Sequence, residues 1–465
     1  MNLVGQSSSM ASKHYLIMIV IIVACCLSLS IFACICLKRS KKGRDGKENA
    51  TPLVIGGVGS RYQQVVVSFA LDLLARISFP TVNGARTPSG LISPFALQSS
   101  FGVCTLGSHA KTQTEMVETV FPKSGSITGV ETVLKKMIQS VESCSQTRVF
   151  RPFFRVYAHS GIRYSTEFRE AVEAGFHSAK SFTTIDYRKS HGNIMATTTH
   201  QWLAAMTLGQ LCKFDSTSWQ PVDQRQSSLC VVSAASLDCG LKIPFHKHHT
   251  RSKWPFFVDA GVSVRTEMMR QIGTFGYLEN EQMQVLRMEY RQPGLSLYVF
   301  LPRLLSGLAL MEKKMTADYL LALCQAAMTR NQLMEVYLPK FKMECEVADS
   351  LMIAMASLGL ARSFKKGEAD FSHMLDDTVP NAYSLWISGA VHKTLVEFAD
   401  ESAQVVGEVK SISMVPSDHT VSSNFSIPSY RESGVEVFLA DHPFLFLVAV
   451  EPQLTPLFIG RYCGP

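Results

Sequence analysis

The stretch ADHPFLFLVAVEPQLTPLFIGRYCGP, residues 440–465, decides the class of fold. Its two apolar runs, 440–450 and 455–464, flank the turn-like EPQL, which is the pattern of a buried β-hairpin. Strands are also predicted at 295–302 (LSLYVFLP) and at 334–343 (MEVYLPKFKM), where apolar and polar residues alternate. The C-terminal part of the chain is therefore expected to be rich in strands.

Helical patterns are interspersed with these strands. Residues 65–77 (VVVSFALDLLARI) repeat apolar side chains at largely helical spacing. Residues 90–107 (GLISPFALQSSFGVCTLG) start as a short strand, which Pro94 stops, and continue as a helix of small residues. Because helices and strands do not alternate as regular βαβ units, the sequence predicts an α+β fold.

Composition and charge exclude several classes of protein. The chain has 465 residues, of which 46% are hydrophobic and 18% charged, so it is neither disordered nor a disulfide-stapled miniprotein. Of the formal net charge of +7, five charges fall within residues 1–50. The remaining residues carry a net charge of only +2, which is too low for the basic surface that a nucleic-acid-binding domain needs.

The N-terminal region predicts a membrane segment. Residues 15–37 contain no charge over 23 positions and would span about 34 Å as a helix. We interpret them as a transmembrane signal-anchor between an N-terminal tail (1–14) and a basic, Gly-rich stalk (38–62), which leads into the globular part of the chain at 63–465. A cleavable signal peptide with Ala33 at the cleavage site is the alternative.

Membrane topology has two competing signals. The basic residues after the apolar segment favour a cytosolic domain, whereas Asn49 and Asn424 fit the N-glycosylation sequon. We predict a single-pass membrane protein with an extracellular or lumenal domain. A cytosolic domain and a cleaved, secreted form stay open as alternatives.

Motifs for enzyme chemistry are missing from the sequence. It has no phosphate-binding, dinucleotide, metalloprotease or serine-hydrolase signature, so neither an enzyme nor a cofactor is expected. The cluster PFHKHHTRSKW (244–254) contains His246, His248 and His249, but its cations and its lack of carboxylates favour a solvated basic loop over a metal site. A polyanion-binding patch is the second interpretation. The cysteines form no C-x-x-C pair and are read as scattered buried thiols.

Several segments together resemble the serpin family, in the family's order and at similar distances. They are GLISPFALQSS (90–100), TLG (207–209), PFFVDAGVSVRTEMMRQIGTFGY (255–277), LSLYVFLP (295–302), VYLPKFKME (336–344), LGLARSFKKGEADFS (358–372), VHKTLVEF (391–398), FLADHPFLF (438–446) and LFIGRYCGP (457–465). The resemblance implies one domain with three β-sheets, surrounding helices and an exposed reactive-centre loop at about 400–437. It also implies that Ser93, Pro94 and His392 belong to the region where the main sheet opens.

In inhibitory serpins a protease cuts this loop, and the upstream part inserts into the main sheet while the protease is still acyl-linked. The resemblance therefore implies a monomeric inhibitor of a serine or cysteine protease. The hinge residues that align with the family pattern are Asp400, Glu401, Ser402, Ala403, Gln404, Val405, Val406, Gly407 and Glu408.

The hinge departs from the family pattern. Ser402 and Ala403 stand where the family has Gly and Thr, and Val405, Val406 and Glu408 replace small residues. Alternation nevertheless places Ala403, Val405, Gly407 and Val409 inward in an inserted strand. Insertion is expected to be possible but slow, because the β-branched valines are stiff.

The scissile bond is predicted at Pro416–Ser417, with Met414–Val415 as the alternative. Two functions follow as alternatives: a membrane-associated inhibitor that traps its protease, or a binding module that has lost trapping and engages a protein or a polyanion such as a glycosaminoglycan. Ser233, Cys239 and Leu241 stand where the family has Asn, Gly and Trp. The family's Asn and Trp belong to the region that opens, so their replacement by Ser233 and Leu241 counts against efficient trapping without threatening the fold.

Overall fold

A computed structural model describes residues 59–79, 87–176, 181–186, 193–207, 209, 211, 228–259, 261–376, 384–401 and 435–465. The helices in this part of the chain are α1 (Arg61–Arg76), α2 (Pro94–Leu106), α3 (Ala110–Val120), α4 (Ile127–Gln146), α5 (Thr166–Phe176), α6 (Asn193–Met206), α7 (Leu308–Lys314), α8 (Ala317–Thr329) and α9 (Asp349–Leu358).

The strands divide between two hydrogen-bonded sheets. They are β1 (Gly90–Ile92), β2 (Phe150–His159), β3 (Phe182–Ile185), β4 (Ser228–Leu237), β5 (Arg251–Asp259), β6 (Val262–Glu279), β7 (Met283–Glu289), β8 (Leu295–Pro302), β9 (Asn331–Pro339), β10 (Phe341–Val347), β11 (Trp386–Phe398), β12 (Glu436–Leu439), β13 (Phe444–Val450) and β14 (Thr455–Tyr462).

The smaller sheet has five strands in the order β10-β11-β4-β2-β3. The larger sheet has nine, in the order β1-β14-β13-β8-β7-β6-β9-β12, with β5 paired to β6. The predicted α+β class is confirmed. Two hydrogen-bonded sheets are present where three were expected. The reason is that the 18-residue β6 pairs with both β7 and β9 and so joins two sheets into one.

The predicted C-terminal hairpin lies in the middle of the core. β13 and β14 pair antiparallel from Phe444↔Tyr462 to Val450↔Thr455, and every residue of both strands is buried. Helices α1 and α2 pack against β14. Residues 57–465 form one compact unit, so the hairpin organises a single domain.

Two element boundaries differ from the sequence-based prediction. Helix α1 begins at Arg61 rather than near residue 65, because Ser60 and Gln63 form a capping box that the apolar pattern does not reveal. The single strand predicted at 334–343 is two strands, β9 and β10, in different sheets. Lys340 is the junction between them, so the backbone passes from one sheet to the other at that residue.

The predicted single-pass membrane location is contradicted. Within the described ranges, no helix is both long enough and apolar enough to cross a bilayer. The 20-residue α4 has the length, but only one of its faces is apolar, and it carries Glu131, Lys135, Lys136 and Glu142. Residues 1–58, and with them the segment 15–37 and Asn49, lie outside the described residues.

Cysteines in the described part of the chain are free thiols. They are Cys104, Cys144, Cys230, Cys239, Cys324, Cys345 and Cys463. Burial raises the pKa of each of these thiols, to about 12 for Cys230 and about 11 for Cys345. All seven are therefore held in the protonated, unreactive form at neutral pH.

The tight packing of β14 generates a stability prediction. A Cβ added to Gly460 would lie 2.7 Å from the carbonyl oxygen of Gly90 and 2.7 Å from Cζ of Phe446. We expect Gly460→Ala to lower the free energy of unfolding by about 1–3 kcal/mol, measured from guanidinium unfolding midpoints. Gly389→Ala is the control, because its nearest neighbour would be the Cys230 Sγ at 3.8 Å. Equal midpoints for the two variants would contradict the prediction.

Candidate functional site

The centre of the five-stranded sheet is a parallel pair. Strands β4 and β11 run side by side from Ser228↔Trp386 to Ser236↔Leu395, with a bulge between Ile387 and Gly389. β11 then leads through Phe398 to residues 400 and 401, where the predicted loop begins. The strand that feeds the loop is therefore already paired along β4.

His392 ties this pair to the core. Its side chain is fully buried; Nε2 accepts a hydrogen bond from the backbone N–H of Ser93 (2.9 Å), and Nδ1 lies 2.8 Å from Ser233 Oγ. Because Nε2 is the acceptor, Nδ1 carries the proton and donates to Ser233. His392 on β11 therefore joins β4 and the start of α2 in one network.

The protonation state of His392 is fixed by its surroundings. Burial lowers the pKa of the imidazole to about 3, although a hydrogen bond that the ring donates to the Ser233 backbone acts to raise it. Ser93 also caps α2, because its Oγ accepts from the backbone N–H of Ala96 (3.3 Å), and Pro94 is the first residue of that helix. Of the three residues predicted to belong to the region where the sheet opens, Ser93 and His392 are in direct contact, and Pro94 starts the helix beside them.

Ion pairs also connect β11 to its other neighbour, β10. Lys393, whose side chain is 9% exposed, lies 2.9 Å from Glu344 and 3.2 Å from Glu346 on β10. Burial opposes the charge on Lys393, but hydrogen bonds to the two carboxylates still raise its pKa. β11 is thus held to β10 more strongly than backbone pairing alone would provide.

The first loop residue, Asp400, is anchored to the junction between the sheets. Its side chain is 5% exposed; Oδ1 accepts from Lys340 Nζ (2.9 Å) and Oδ2 from Thr250 Oγ1 (2.6 Å). Burial acts to raise the pKa of Asp400, but these two hydrogen bonds outweigh it and leave the pKa below its usual value. Asp400 is therefore charged and fixed at neutral pH.

Glu401 continues this anchor. Its backbone N–H donates to the carbonyl of Phe245 (2.8 Å), its carbonyl accepts from the backbone N–H of Lys247 (3.4 Å), and its carboxylate pairs with Arg291. A side chain at Gly240 would meet Glu401 Oε1 and would have to displace that carboxylate. The chain therefore leaves β11 toward the 240–250 segment.

The downstream end of the loop returns to the larger sheet. Strand β12 pairs parallel with β9 from Glu436↔Met334 to Leu439↔Tyr337, and Phe438 is fully buried. Residues 402–434 lie outside the described residues. Both described ends of the predicted loop are thus fixed to ordered strands.

The basic histidine cluster lies beside the start of the loop. Residues His246, Lys247, His248 and His249 are exposed, and His246 forms a parallel bridge with Glu401. Partial burial, followed by repulsion from Arg270, His246 and His248, lowers the pKa of His249. In the ranges that the structure covers, no group of three or more His, Cys, Asp or Glu side chains is placed to hold a metal.

Many sequence-predicted site residues lie outside the described part of the chain. They are Ser402, Ala403, Gln404, Val405, Val406, Gly407, Glu408, Met414, Val415, Pro416, Ser417 and Asn424. Sequence analysis missed Lys340, Thr250 and Arg291, which hold the two hinge acids. Their separation from the hinge, 60 to 150 positions along the chain, leaves no local signal.

Comparison with known proteins agrees with this arrangement. The family model described as serpin (serine protease inhibitor) matches residues 64–465. The chain belongs to the serpin family. The match includes both sheets, the contact between Ser93 and His392, and residues 400, 401 and 436–439.

Similar serpins are distant in sequence but match at nearly full length. Serpin B10 of Rhinolophus ferrumequinum is 24% identical over 426 residues, which cover 85% of this chain and 98% of the relative. A crystal structure of maspin superposes with a TM-score of 0.71 at 20% identity, covering 87% of this chain and 98% of maspin. Uncleaved ovalbumin gives a TM-score of 0.68 at 22% identity, covering 88% of this chain and all of that one. At these identities the structural matches establish the fold alone.

The buried His392 predicts a pH dependence of stability. Between pH 3 and 6.5 the unfolded chain binds a proton at this imidazole that the folded serpin does not, so the free energy of unfolding falls as pH falls. The contribution of His392 to the slope should approach about 1.4 kcal/mol per pH unit as the pH falls well below 6.5. Guanidinium unfolding from pH 7 to 5 should show a shallower slope for His392→Gln, whose amide can keep both hydrogen bonds. Identical slopes for the two proteins would show that His392 titrates normally.

The Asp400 anchor predicts a second effect. Lys340→Met removes one of the two side chains that bind the nearly buried Asp400 carboxylate and leaves Thr250 as the other. The Lys340 side chain is 32% exposed, so water can replace part of the lost interaction. We expect the free energy of unfolding to fall by about 1–3 kcal/mol. Lys342→Met, at an exposed position two residues along on β10, should leave the guanidinium midpoint unchanged. Equal unfolding midpoints for Lys340→Met and Lys342→Met would show that the Lys340–Asp400 ion pair does not stabilise the fold.

Proposed function

We propose that this serpin inhibits a serine-type endopeptidase by bait-loop trapping, and that it acts as an inhibitor and not as a catalyst. The observation that carries the proposal is the parallel pairing of β4 with β11, the strand that feeds the loop. Membership of a family described as serine protease inhibitors supports the target class. Cysteine proteases are the second target class.

The direction of the strands suits insertion. A segment that turns back after Glu401 runs antiparallel to β11. Because β4 is parallel to β11, the same segment is also antiparallel to β4. One inserted strand can therefore pair on both sides without any change in chain direction.

The hydrogen-bond balance favours insertion once the loop is cut. Separating β4 from β11 breaks one ladder and the Ser233–His392 contact, whereas an inserted strand forms two ladders. Each net hydrogen bond stabilises by about 1 kcal/mol. The uncut loop is held back by its fixed ends at Asp400–Glu401 and β12.

The hinge sequence suits burial of one face. Ala403, Val405, Gly407 and Val409 would point into the core of an inserted strand, and Gln404 and Glu408 would point outward. The valines and the missing Gly and Thr favour slow insertion, which would let part of the protease escape by completing hydrolysis. We propose Pro416–Ser417 as the bond that is cut, with Met414–Val415 as the alternative.

The test combines loop cleavage with a matched pair of hinge variants. The serpin is cut with elastase, chymotrypsin or trypsin, its melting temperature is measured before and after, and SDS gels show any covalent adduct. We expect an SDS-stable adduct and a rise in melting temperature of about 10 °C or more, the scale set by one additional ladder of hydrogen bonds.

The two hinge variants separate insertion from cleavage. Ala403→Arg places a cation on the buried face of the inserted strand and should abolish both the rise and the adduct. Gln404→Arg places the same side chain on the outward face and should keep both. Cleavage within 402–434 with neither a rise nor an adduct in the unmodified serpin would overturn the proposal.

A binding module is the second candidate, and the exposed histidine cluster favours it. His246–His249 lies against Glu401 at the start of the loop, so a protein or polyanion on this surface would contact the loop base. Retention on a heparin column that falls after His248→Ser and Lys247→Ser, in a serpin whose cut loop gives no adduct, would support this function over trapping.

A further inference from the structure

The end of α4 and the exit of β4 meet at one residue, Val149. Its backbone N–H donates to the carbonyl of Cys144 (3.0 Å), and its own carbonyl accepts from the backbone N–H of Asp238 (2.9 Å). Asp238 is the first residue after β4 and directly precedes Cys239. Val149 is therefore hydrogen-bonded both to Cys144 and to the chain neighbour of Cys239.

The backbone at the end of α4 is fixed by its own hydrogen bonds. The N–H of Arg148 donates to the carbonyl of Ser145 (3.1 Å), and Arg148 has a φ of 58°. Together with the bond to Cys144, this is a Schellman motif, which ends a helix in a defined geometry. Thr147 Oγ1 donates to Gln292 Oε1 (3.0 Å), so the turn after β7 also packs here.

The two thiols differ in their access to solvent. Cys144 is fully buried, whereas Cys239 is partly exposed, and both pack in the same apolar core. Burial is the main cause that raises the pKa of each thiol, although backbone N–H groups of Gln292 and Arg291 act to lower that of Cys239. A charge on Cys239 raises the pKa of Cys144 further, so the two sulfurs are close enough for their charges to interact. An oxidant in solution therefore meets Cys239 first.

We propose that Cys144 and Cys239 are a redox-sensitive pair that forms a disulfide when the chain meets a disulfide oxidant such as oxidised glutathione. The Cys239 thiolate attacks the glutathione disulfide, forms a mixed disulfide and releases one reduced glutathione. The Cys144 thiolate then displaces the second glutathione, and the Cys144–Cys239 bond forms. The two thiol protons end on the two released glutathione molecules, so one oxidised glutathione is consumed for each protein disulfide.

The disulfide would join α4 to the exit of β4 beside the base of the loop. A Cβ on Gly240, which follows Cys239, would meet the carboxylate of Glu401. Arg291 pairs with that carboxylate and donates its backbone N–H to the carbonyl of Gly240 (2.9 Å). Insertion of the loop requires β4 to part from β11 at this end. The disulfide is therefore expected to slow insertion, and this consequence alone rests on the proposed function.

The test treats the full chain with oxidised glutathione and maps the disulfides by mass spectrometry. Mildly alkaline pH is used because protonated thiols react slowly, and remaining thiols are blocked with N-ethylmaleimide in guanidinium before digestion. Trypsin should release Cys144 in peptide 137–148 and Cys239 in peptide 226–242. We expect these two peptides to be linked, and reduction should separate them.

Three serine variants assign the bond. Cys144→Ser and Cys239→Ser should each abolish the linked species. Cys230→Ser is the matched control, because Cys230 lies in the same tryptic peptide as Cys239, and it should leave the linkage in place. Glutathione retained on Cys239 without a linked peptide, or a linkage that Cys230→Ser abolishes, would overturn the proposal.

Melting temperatures give a second readout. The oxidised chain should melt about 5 °C or more above the reduced chain, because a disulfide that closes a long loop restricts the unfolded state. Cys239→Ser should show no such rise after the same treatment. An oxidised chain that carries the linkage but melts at or below the temperature of the reduced chain would show that the disulfide strains the fold, which would overturn its role as a native pair.

Cleavage of the loop in both redox states separates this proposal from protease trapping. Cleavage should raise the melting temperature of the reduced chain faster than that of the oxidised chain. A linked peptide with no rise in either state would overturn trapping and support the disulfide. A rise after cleavage with no linked peptide would support trapping and overturn the disulfide.

Discussion

The parallel ladder between β4 and β11 is the interaction on which the rest of the structure depends. It joins β10 and β11 to the other three strands of the smaller sheet. It also positions β11, which leads into the loop, and brings His392 against Ser233. His392 also connects this strand pair to a helix, because its Nε2 accepts a hydrogen bond from the backbone N–H of Ser93 at the start of α2. Separation of the two strands therefore disturbs a helix cap as well as a row of backbone hydrogen bonds.

The upstream end of the loop is held at the junction between the two sheets, and the downstream end is held by the larger sheet. Lys340 sits where β9 in one sheet gives way to β10 in the other, and it binds Asp400. Downstream, β12 pairs with β9 itself. A single stretch of chain, 331–347, thus connects the two loop ends to both sheets, and movement of either sheet acts on the loop directly.

Patterns within short windows predicted the class of fold well. The terminal hairpin, the strand at 295–302 and the strand-to-helix switch at Pro94 all rest on local apolar periodicity and proline chemistry, and the structure has each of them. The continuous pattern at 334–343 hid a change of sheet, since a strand that crosses between sheets keeps its alternation. The site was less accessible: Ser93 and His392 came from resemblance, whereas Lys340, Thr250 and Arg291 act through contacts that only folding creates.

The protonated thiols have a consequence for chemical labelling. Cys230 lies on β4, close to Gly389 on β11, and burial raises its pKa to about 12. Thiol reagents attack the thiolate, and Cys230 is partly exposed in the folded chain, so its raised pKa limits the rate at which it reacts. Alkylation of this sulfur is therefore expected to be slow at neutral pH and to become faster as the pH approaches that pKa.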